Sequence, residues 1–328
     1  MKLYFGLFLL FVLSLTSCSE RDSVTNHDTV VDVYVSGQKD NHAVYWKNNQ
    51  LVTLDDTAYI SSQVDTLVVK NQKVYVLGSA VLNDGVNILN RRLLWINGVM
   101  SDLNVTYATD TQDVVSIGAI DVVGTDLYIS GIVHDLSVTP DVYRLVYWKN
   151  GERTDVAELS ASDYNNTAMA WQDSSGYFSV AHPSLDSGMY IDTTFHPYVN
   201  MFDFGYFHSG TNGLYVFGSK EGHPYYQVVG SDAVTNTDLN GSFTKLSEFA
   251  SGIYGLHNNK IYRNAAELYY TSAEHSGVQD FQWANNSLYT LEYNLSGSTY
   301  SYFVLQNGVQ KGLSAAGETY KTIFVNVY

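Results

Sequence analysis

Apolar and polar residues alternate in short runs along nearly the whole chain beyond residue 30, and one such run recurs. It is a strand ending in Tyr-x-x-Gly: Val33-Tyr34-Val35-Ser36-Gly37, Val74-Tyr75-Val76-Leu77-Gly78, Leu127-Tyr128-Ile129-Ser130-Gly131 and Leu214-Tyr215-Val216-Phe217-Gly218. Looser copies stand at Tyr177-Phe178-Ser179-Val180, Ile253-Tyr254-Gly255-Leu256 and Leu288-Tyr289-Thr290-Leu291. A period of two predicts strands, and no segment of this region sustains a helical period. The aromatic positions 34, 75, 128, 178, 215, 254 and 289 lie between 35 and 53 residues apart. That spacing suits a four-stranded propeller blade and is too long for a leucine-rich repeat.

A second element follows the first: an aromatic strand running into a turn. It appears as Tyr45-Trp46-Lys47-Asn48-Asn49, Leu94-Trp95-Ile96-Asn97-Gly98, Tyr147-Trp148-Lys149-Asn150-Gly151 and Val304-Leu305-Gln306-Asn307-Gly308. Asn-Gly accepts the positive φ angles of a two-residue hairpin, so each copy marks a tight antiparallel connection. Each unit therefore reads strand a, tight turn, strand b (the Tyr-x-x-Gly anchor), a longer loop, strand c, tight turn, strand d. The first strand, Val30 to Gly37, is a b strand with no a strand before it, and Tyr320 to Tyr328 is an a strand with no b strand after it. Pairing the two closes a ring and removes two open edges at once. The expectation is an all-β, seven-bladed β-propeller over residues 30–328 closed by its C-terminal strand; six or eight blades, or a β-sandwich with added strands, are the competing architectures.

Residues 1–28 follow another pattern. Lys2 precedes an apolar run from Leu3 to Leu15 that ends in Leu15-Thr16-Ser17-Cys18, which is the layout of a cleaved export signal and too short for a spanning helix. The tetrapeptide resembles the lipobox of bacterial lipoproteins, and the resemblance implies a signal peptide over 1–17 and lipidation of Cys18, the chain's only cysteine. An ordinary secretory signal with an incidental cysteine is the alternative. Residues 18–29 read as a polar tether. In lipoprotein sorting an aspartate after the cysteine favours the inner membrane; Ser19 stands there, which points to an outer-membrane anchor. The Val-Tyr-Val-x-Gly and Tyr-Trp-Lys-Asn-Gly pair is similar to repeats in extracytoplasmic lipoproteins of Bacteroidota type. That resemblance implies location and fold more than chemistry.

Charge narrows the partners. The chain carries 33 acidic residues against 17 basic ones, and removal of the signal takes Lys2 with it. Phosphate contacts would be repulsive on such a surface, so nucleic acid and anionic lipid are disfavoured. The expected partners are the membrane, through the lipid, and a glycan or an envelope protein.

Candidate chemistry is sparse. The a–b and c–d turns lie on one face of the disc, and the longer b–c and d–a loops make the other face the default binding surface. His42, His134, His182, His223 and His257 all fall in predicted b–c loops, joined by Asp135, Asp186, Lys220 and Glu221; Tyr198, Tyr225, Tyr226 and Tyr300 are the tyrosines assigned to loops. The candidate ligand-binding set is His134, Asp135, His182, Asp186, Lys220, Glu221, His223, Tyr225 and Tyr226. Equivalent loops on different blades splay apart, whereas metal ligands must converge to about 2 Å from the ion, so no metal and no cofactor is expected. Ser184-Leu185-Asp186-Ser187-Gly188 resembles the Asp-box turn of sialidase propellers. A sialidase, however, needs an arginine cluster for its carboxylate substrate, and the propeller region holds only Arg91, Arg92, Arg144, Arg153 and Arg263. Nucleophile elbows, P-loops, dinucleotide fingerprints and His-Glu-x-x-His are absent from the sequence. The residues read best as a non-enzymatic binding or scaffold protein, with a polysaccharide-active hydrolase or lyase of the cell envelope as the competitor.

Overall fold

The computed structural model describes residues 29–140, 142–159, 167–172, 174–180, 188–197, 204–210, 212–231, 234–250, 252–264 and 267–328. Residues 1–28, Cys18 among them, and His182, Asp186 and Tyr198 lie outside the described residues.

Among the described residues twenty-eight strands form seven four-stranded antiparallel sheets. Blade 2 is β4 (Ser61–Lys70), β5 (Lys73–Asn83), β6 (Ile88–Ile96) and β7 (Val99–Asp102). Blade 3 is β8 (Gln112–Val123), β9 (Asp126–Asp135), β10 (Val142–Lys149) and β11 (Glu152–Leu159), and blade 4 is β12 (Thr167–Gln172), β13 (Ser175–Val180), β14 (Gly188–Ile191) and β15 (Thr194–Pro197). Blade 5 comprises β16 (Phe204–Gly210), β17 (Gly213–Lys220), β18 (His223–Val228) and β19 (Val234–Asn236), and blade 6 β20 (Lys245–Phe249), β21 (Gly252–His257), β22 (Lys260–Arg263) and β23 (Glu267–Tyr270). Blade 7 is β24 (Gly277–Ala284), β25 (Ser287–Ser296), β26 (Thr299–Gln306) and β27 (Val309–Leu313). Blade 1 is made from both ends of the propeller: β28 (Glu318–Val327) pairs antiparallel with β1 (Val31–Lys39), which carries β2 (His42–Lys47) and β3 (Gln50–Thr53). The register runs Val31 to Val327 at one end and Lys39 to Glu318 at the other. The ring is thus a seven-bladed β-propeller closed by its last strand, as the phase of the repeats predicts.

Strand a of each blade is the innermost, since the a strands of neighbouring blades meet around the axis. The apolar faces of the sheets turn toward each other, and the core is correspondingly divided into seven clusters, one between each pair of adjacent blades. Burial of these faces supplies the main favourable term of folding.

Two local devices explain the repeated residues. First, the anchor glycine leaves room for two neighbours. A Cβ on Gly131 would stand 2.6 Å from the Ser116 carbonyl oxygen of strand a and 2.8 Å from the Trp148 ring of strand c. Gly37 and Gly78 meet the carbonyls of Thr319 and Gln63 and the rings of Trp46 and Trp95 in the same way. At each site strand a carries a bulge beside the glycine or opposite it. Tyr-x-x-Gly and Tyr-Trp-Lys-Asn-Gly are therefore two halves of one packing unit. Gly131→Ala is expected to cost about 3 kcal/mol, the upper range for overpacking against a backbone atom that cannot turn away; a thermal melt should show a fall in Tm of about 6 °C.

Second, the asparagine that opens the c–d turn does more than tolerate positive φ. Asn48, Asn97, Asn150, Asn264 and Asn307 have φ between 48° and 51°. Each accepts through Oδ1 the backbone N–H of the first residues of strand b, at 2.8 to 3.0 Å. Their own N–H groups donate to the carbonyl of that same b-strand residue. In blades 1 and 3 an aspartate joins in: Lys47 Nζ lies 2.7 Å from Asp32 and Lys149 Nζ 2.8 Å from Asp126. Burial raises the Asp32 pKa, but hydrogen bonds from Lys47 and Asn48 outweigh it and hold the carboxyl below its ordinary value.

The expected long b–c loops are corrected by the structure. Strands b and c extend past the anchor glycine and meet in two-residue turns at 40–41, 221–222, 258–259 and 297–298. Asp40, Asn41, Glu221, Asn258 and Asn259 adopt positive φ there, which permits the tight reversal. Only the 84–87 and 136–141 connections are longer among the described b–c links. Length and variety sit instead in the d–a connections, such as 54–60, 103–111 and 237–244, the second of which holds a short helix, α1 (Leu103–Tyr107), capped by Asp102.

Candidate functional site in the central channel

Because the described b–c links are mostly hairpin turns, His42, His134, His223 and His257, assigned to them, are strand residues. His42 opens β2, with Nδ1 3.0 Å from the buried Asp56 of the neighbouring d–a loop. His134, near the end of β9, stacks on Tyr143 across the ladder at 4.5 Å. His223 opens β18 and pairs through Nδ1 with the Leu239 carbonyl at 2.5 Å; His257 closes β21 and pairs with the Ser242 carbonyl at 3.0 Å. Asp135 accepts from the Ser137 hydroxyl and N–H and from Arg144, which together hold its pKa below the usual value. Lys220 ends β17 and Glu221 lies in the following turn. Tyr225 is a fully buried core residue beside Met189 and Val216, and Tyr226 packs on Tyr215 with ring centroids 6.1 Å apart. Tyr300 lies in β26 and is exposed. The described members of the candidate set lie in blade 3 (His134, Asp135) and blade 5 (Lys220, Glu221, His223, Tyr225, Tyr226). Among the described residues no group of three or more His, Cys, Asp or Glu side chains is placed to hold a metal ion.

What does converge is the axis. Two cavities of about 730 and 760 Å³ are lined chiefly by the a strands and share Thr66 of β4. Their charged groups come from strands far apart in the sequence. Asp65 of β4 is held on one oxygen by Arg92 Nη1 from β6 and on the other by Lys321 Nζ of β28 at 2.9 Å. Asp280 of β24 lies 2.6 Å from Lys245 Nζ of β20 and also accepts the N–H of Phe281 at 2.8 Å and of Ile323 at 2.9 Å. The last bond crosses from blade 7 to blade 1, where Gln282 also makes two hydrogen bonds with the backbone of Val325. Asp280 is thereby both a channel residue and a clasp at the closure.

His208 of β16 lines the same space. Burial is the main reason its pKa is lowered to about 4; the nearby Lys245 charge adds to the effect and Glu248 opposes it. The folded protein binds this proton less readily than the unfolded chain, so the residue's contribution falls as pH drops from about 6.5 to about 4 and is level below that. The full loss is about 3 kcal/mol. In urea titrations His208→Gln is expected to show a shallower decline in stability over that window than the parent protein.

Asp121 is a carboxyl that burial pushes upward, against hydrogen bonds from the Trp171 and Val122 N–H groups. It bridges blades 3 and 4 and lies outside both cavity linings. It is a staple, not a channel acid.

No family model matches the chain, and neither does any curated protein. Among solved structures, apo AztD from Citrobacter koseri aligns over 91% of this chain and 98% of its own, with a TM-score of 0.46 and 12% identity. Trypanosoma rangeli sialidase in complex with sialic acid covers 86% of this chain, at a TM-score of 0.45 and 11% identity. Pyrococcus horikoshii acylaminoacyl peptidase covers 76%, at 0.44 and 11%. This chain spans about half the length of the latter two, 52% in each case. Likenesses this slight carry no weight for function, and the architecture rests on the strand pairing itself.

Proposed function

We propose that the chain is an extracytoplasmic binding or scaffold protein, lipid-anchored through Cys18 to the outer membrane, that holds a glycan or envelope-protein partner at the channel mouth on the d–a loop side. The supporting observation is the state of the channel carboxylates. A glycoside hydrolase needs one carboxyl free to give a proton and another free to act on the opposite side. Asp65 is spanned by two cations, Asp280 accepts from a lysine and two backbone N–H groups, and Glu248, the third carboxylate of the lining, accepts from the Asn212 side-chain amide. Groups so engaged suit positioning and recognition better than proton transfer. The anchoring part of the reading rests on the lipobox-like tetrapeptide and on the similarity of the repeats to Bacteroidota-type lipoproteins.

The test has two arms. Metabolic labelling with a radiolabelled fatty acid is expected to mark the protein in the outer-membrane fraction, and Cys18→Ser to abolish the label. Incubation of the full chain with envelope polysaccharides is expected to give saturable binding without product. Turnover that disappears in Asp65→Asn or Asp280→Asn would move the protein to the hydrolase or lyase class.

A further inference from the structure

The net charge of −16 is not spread evenly over the disc. The a–b and c–d turns share one face, the underside, and the b–c and d–a connections share the other. On the underside of blades 7, 1 and 2 stand Lys47 at the end of β2, Lys70 and Lys73 on either side of the β4–β5 turn, and Lys311 in β27. Lys70, Lys73 and Lys311 are exposed, and the Lys47 side chain is 44% exposed. Among the described residues the one acidic side chain on this part of the underside is Asp32, which is buried and bound by Lys47 and Asn48. Even with the carboxylate of Tyr328 counted, the sector keeps an excess of two cations. Asp121 of blade 3, which feels the Lys70 charge, is a buried carboxyl whose pKa is pushed up. Elsewhere the underside differs: Lys149 and Arg153 are paired with Asp126 and Asp155, and Glu152, Asp192 and Glu267 are exposed.

Apolar side chains occupy the same sector. Val99 and Val309, each the first residue of strand d after an Asn-Gly turn, are 72% and 59% exposed, and Val30, Val327 and Tyr328 at the end of the β1–β28 ladder are exposed with them. Strand formation does not demand valine at that position, which Glu152 holds in blade 3 and Thr194 in blade 4. The sector is continuous. Asn49 Nδ2 donates to the Lys311 carbonyl at 2.6 Å, joining blades 1 and 7, and Leu51 and Gly98 border one groove between blades 1 and 2. A lone exposed valine is ordinary, but apolar side chains set among unpaired lysines are what a lipid headgroup layer attracts.

The path of the chain indicates the occupant. Val30 lies in this sector, and the twelve residues from Cys18 to Thr29 span at most about 40 Å. From the charge, the apolar surface and this reach, we infer that the underside of blades 7, 1 and 2 rests on the anionic headgroups of the bilayer that carries the anchor. The inference deepens the anchoring part of the proposed function and rests on it. Strand β1, nine residues long at about 3.3 Å each, sets the exposed acids of the far face, such as Asp40, Asp55 and Asp84, well beyond the Debye length of about 8 Å. The overall negative charge therefore does not prevent the contact. The disc leans on blade 1, which lifts the acidic underside of blades 3, 4 and 6 and leaves the d–a loops facing away from the bilayer.

Fluorescence quenching of the full lipidated chain in vesicles tests this. Acylation of Cys18 leaves no free thiol, so one introduced cysteine takes one fluorophore: Val99→Cys or Val309→Cys on the underside, or Ser298→Cys on the opposite face of blade 7. The quencher is a nitroxide on the lipid headgroup. In vesicles of roughly three parts phosphatidylcholine to one of phosphatidylglycerol, labels at 99 and 309 are expected to be quenched at least about threefold more than the label at 298. The difference should shrink in phosphatidylcholine alone and in about 0.5 M salt. Lys70→Glu, Lys73→Glu and Lys311→Glu combined, all at exposed positions, should abolish it, whereas Lys260→Glu on the opposite face should not. Equal quenching on both faces, or a difference indifferent to lipid charge and to the triple substitution, overturns the inference and leaves an anchored protein. A chain that floats with neither kind of vesicle overturns the inference and the anchor together. Labels at 99 and 309 left unquenched in vesicles, yet shielded from a water-soluble quencher in native envelopes, would overturn it in favour of a protein partner.

Discussion

A chain ending at Gly317, which lacks β28 alone, is expected to lose the native fold. The strand contributes Tyr320, Ile323 and Val325 to the cluster between blades 7 and 1, where they pack with Val35, Trp46, Tyr289 and Leu291. At roughly 1.5–3 kcal/mol for each large apolar side chain buried, their removal approaches the 5–15 kcal/mol by which a whole domain is ordinarily stable. It also bares the full length of β1 as an open edge and leaves the Asp280 carboxylate without the Ile323 N–H. Far-UV circular dichroism and sedimentation velocity should show an unfolded or associated product with no cooperative transition. A synthetic peptide of residues 318–328 added in trans should restore part of the transition. A monomer melting near the parent temperature would show that closure is dispensable.

The next largest effect is expected at Glu292, a carboxylate with no solvent exposure. It accepts from Tyr270 Oη at 2.6 Å, His275 Nδ1 at 2.7 Å and Thr290 Oγ1 at 2.9 Å. The pair of Glu292 and Tyr270 joins blade 7 to the outer strand of blade 6, and His275 stacks on Phe303 with centroids 4.0 Å apart. Burial works against ionisation, yet the surrounding donors prevail and the glutamate pKa is lowered. Its stabilising contribution is therefore present above the unfolded value of about 4.3 and is lost as pH falls through the folded one. Glu292→Ala strands three donors at once and should cost about 4 kcal/mol in denaturant unfolding at pH 7. Glu292→Gln, which keeps the shape and one acceptor, should cost about half as much. If the two substitutions proved equal, the hydrogen bonds would not be what holds this junction.

What the sequence disclosed was whatever local chemistry encodes. Alternation marked the strands, Asn-Gly marked the c–d turns, and the missing a strand before Val30 announced the closure that β28 completes. The reach of a loop was not encoded in that way. Asp40-Asn41 and Glu221-Gly222 sit among other polar residues, and the sequence does not show where strand ends and turn begins, so strands that continue to the very tip read as loops and the histidines at their ends as loop residues. The channel was invisible for a different reason. Asp65 meets Arg92 across 27 residues and Lys321 across 256, and no spacing rule links positions that only ring closure brings together. For the c–d asparagines the sequence predicts the positive φ, whereas the hydrogen bond back to strand b depends on a neighbour that only the folded blade supplies.

The two ends of the propeller leave from one side. The N–H of Tyr328 bonds to the Val30 carbonyl at 2.9 Å, at the extremity of the β1–β28 ladder where the other blades make their a–b hairpins. A leash fastened ahead of Thr29 would hold the disc by its underside, like a dish on a stalk, with the opposite rim turned outward. The same arrangement lets a sensor chip or bead be coupled through either terminus without shading the mouth.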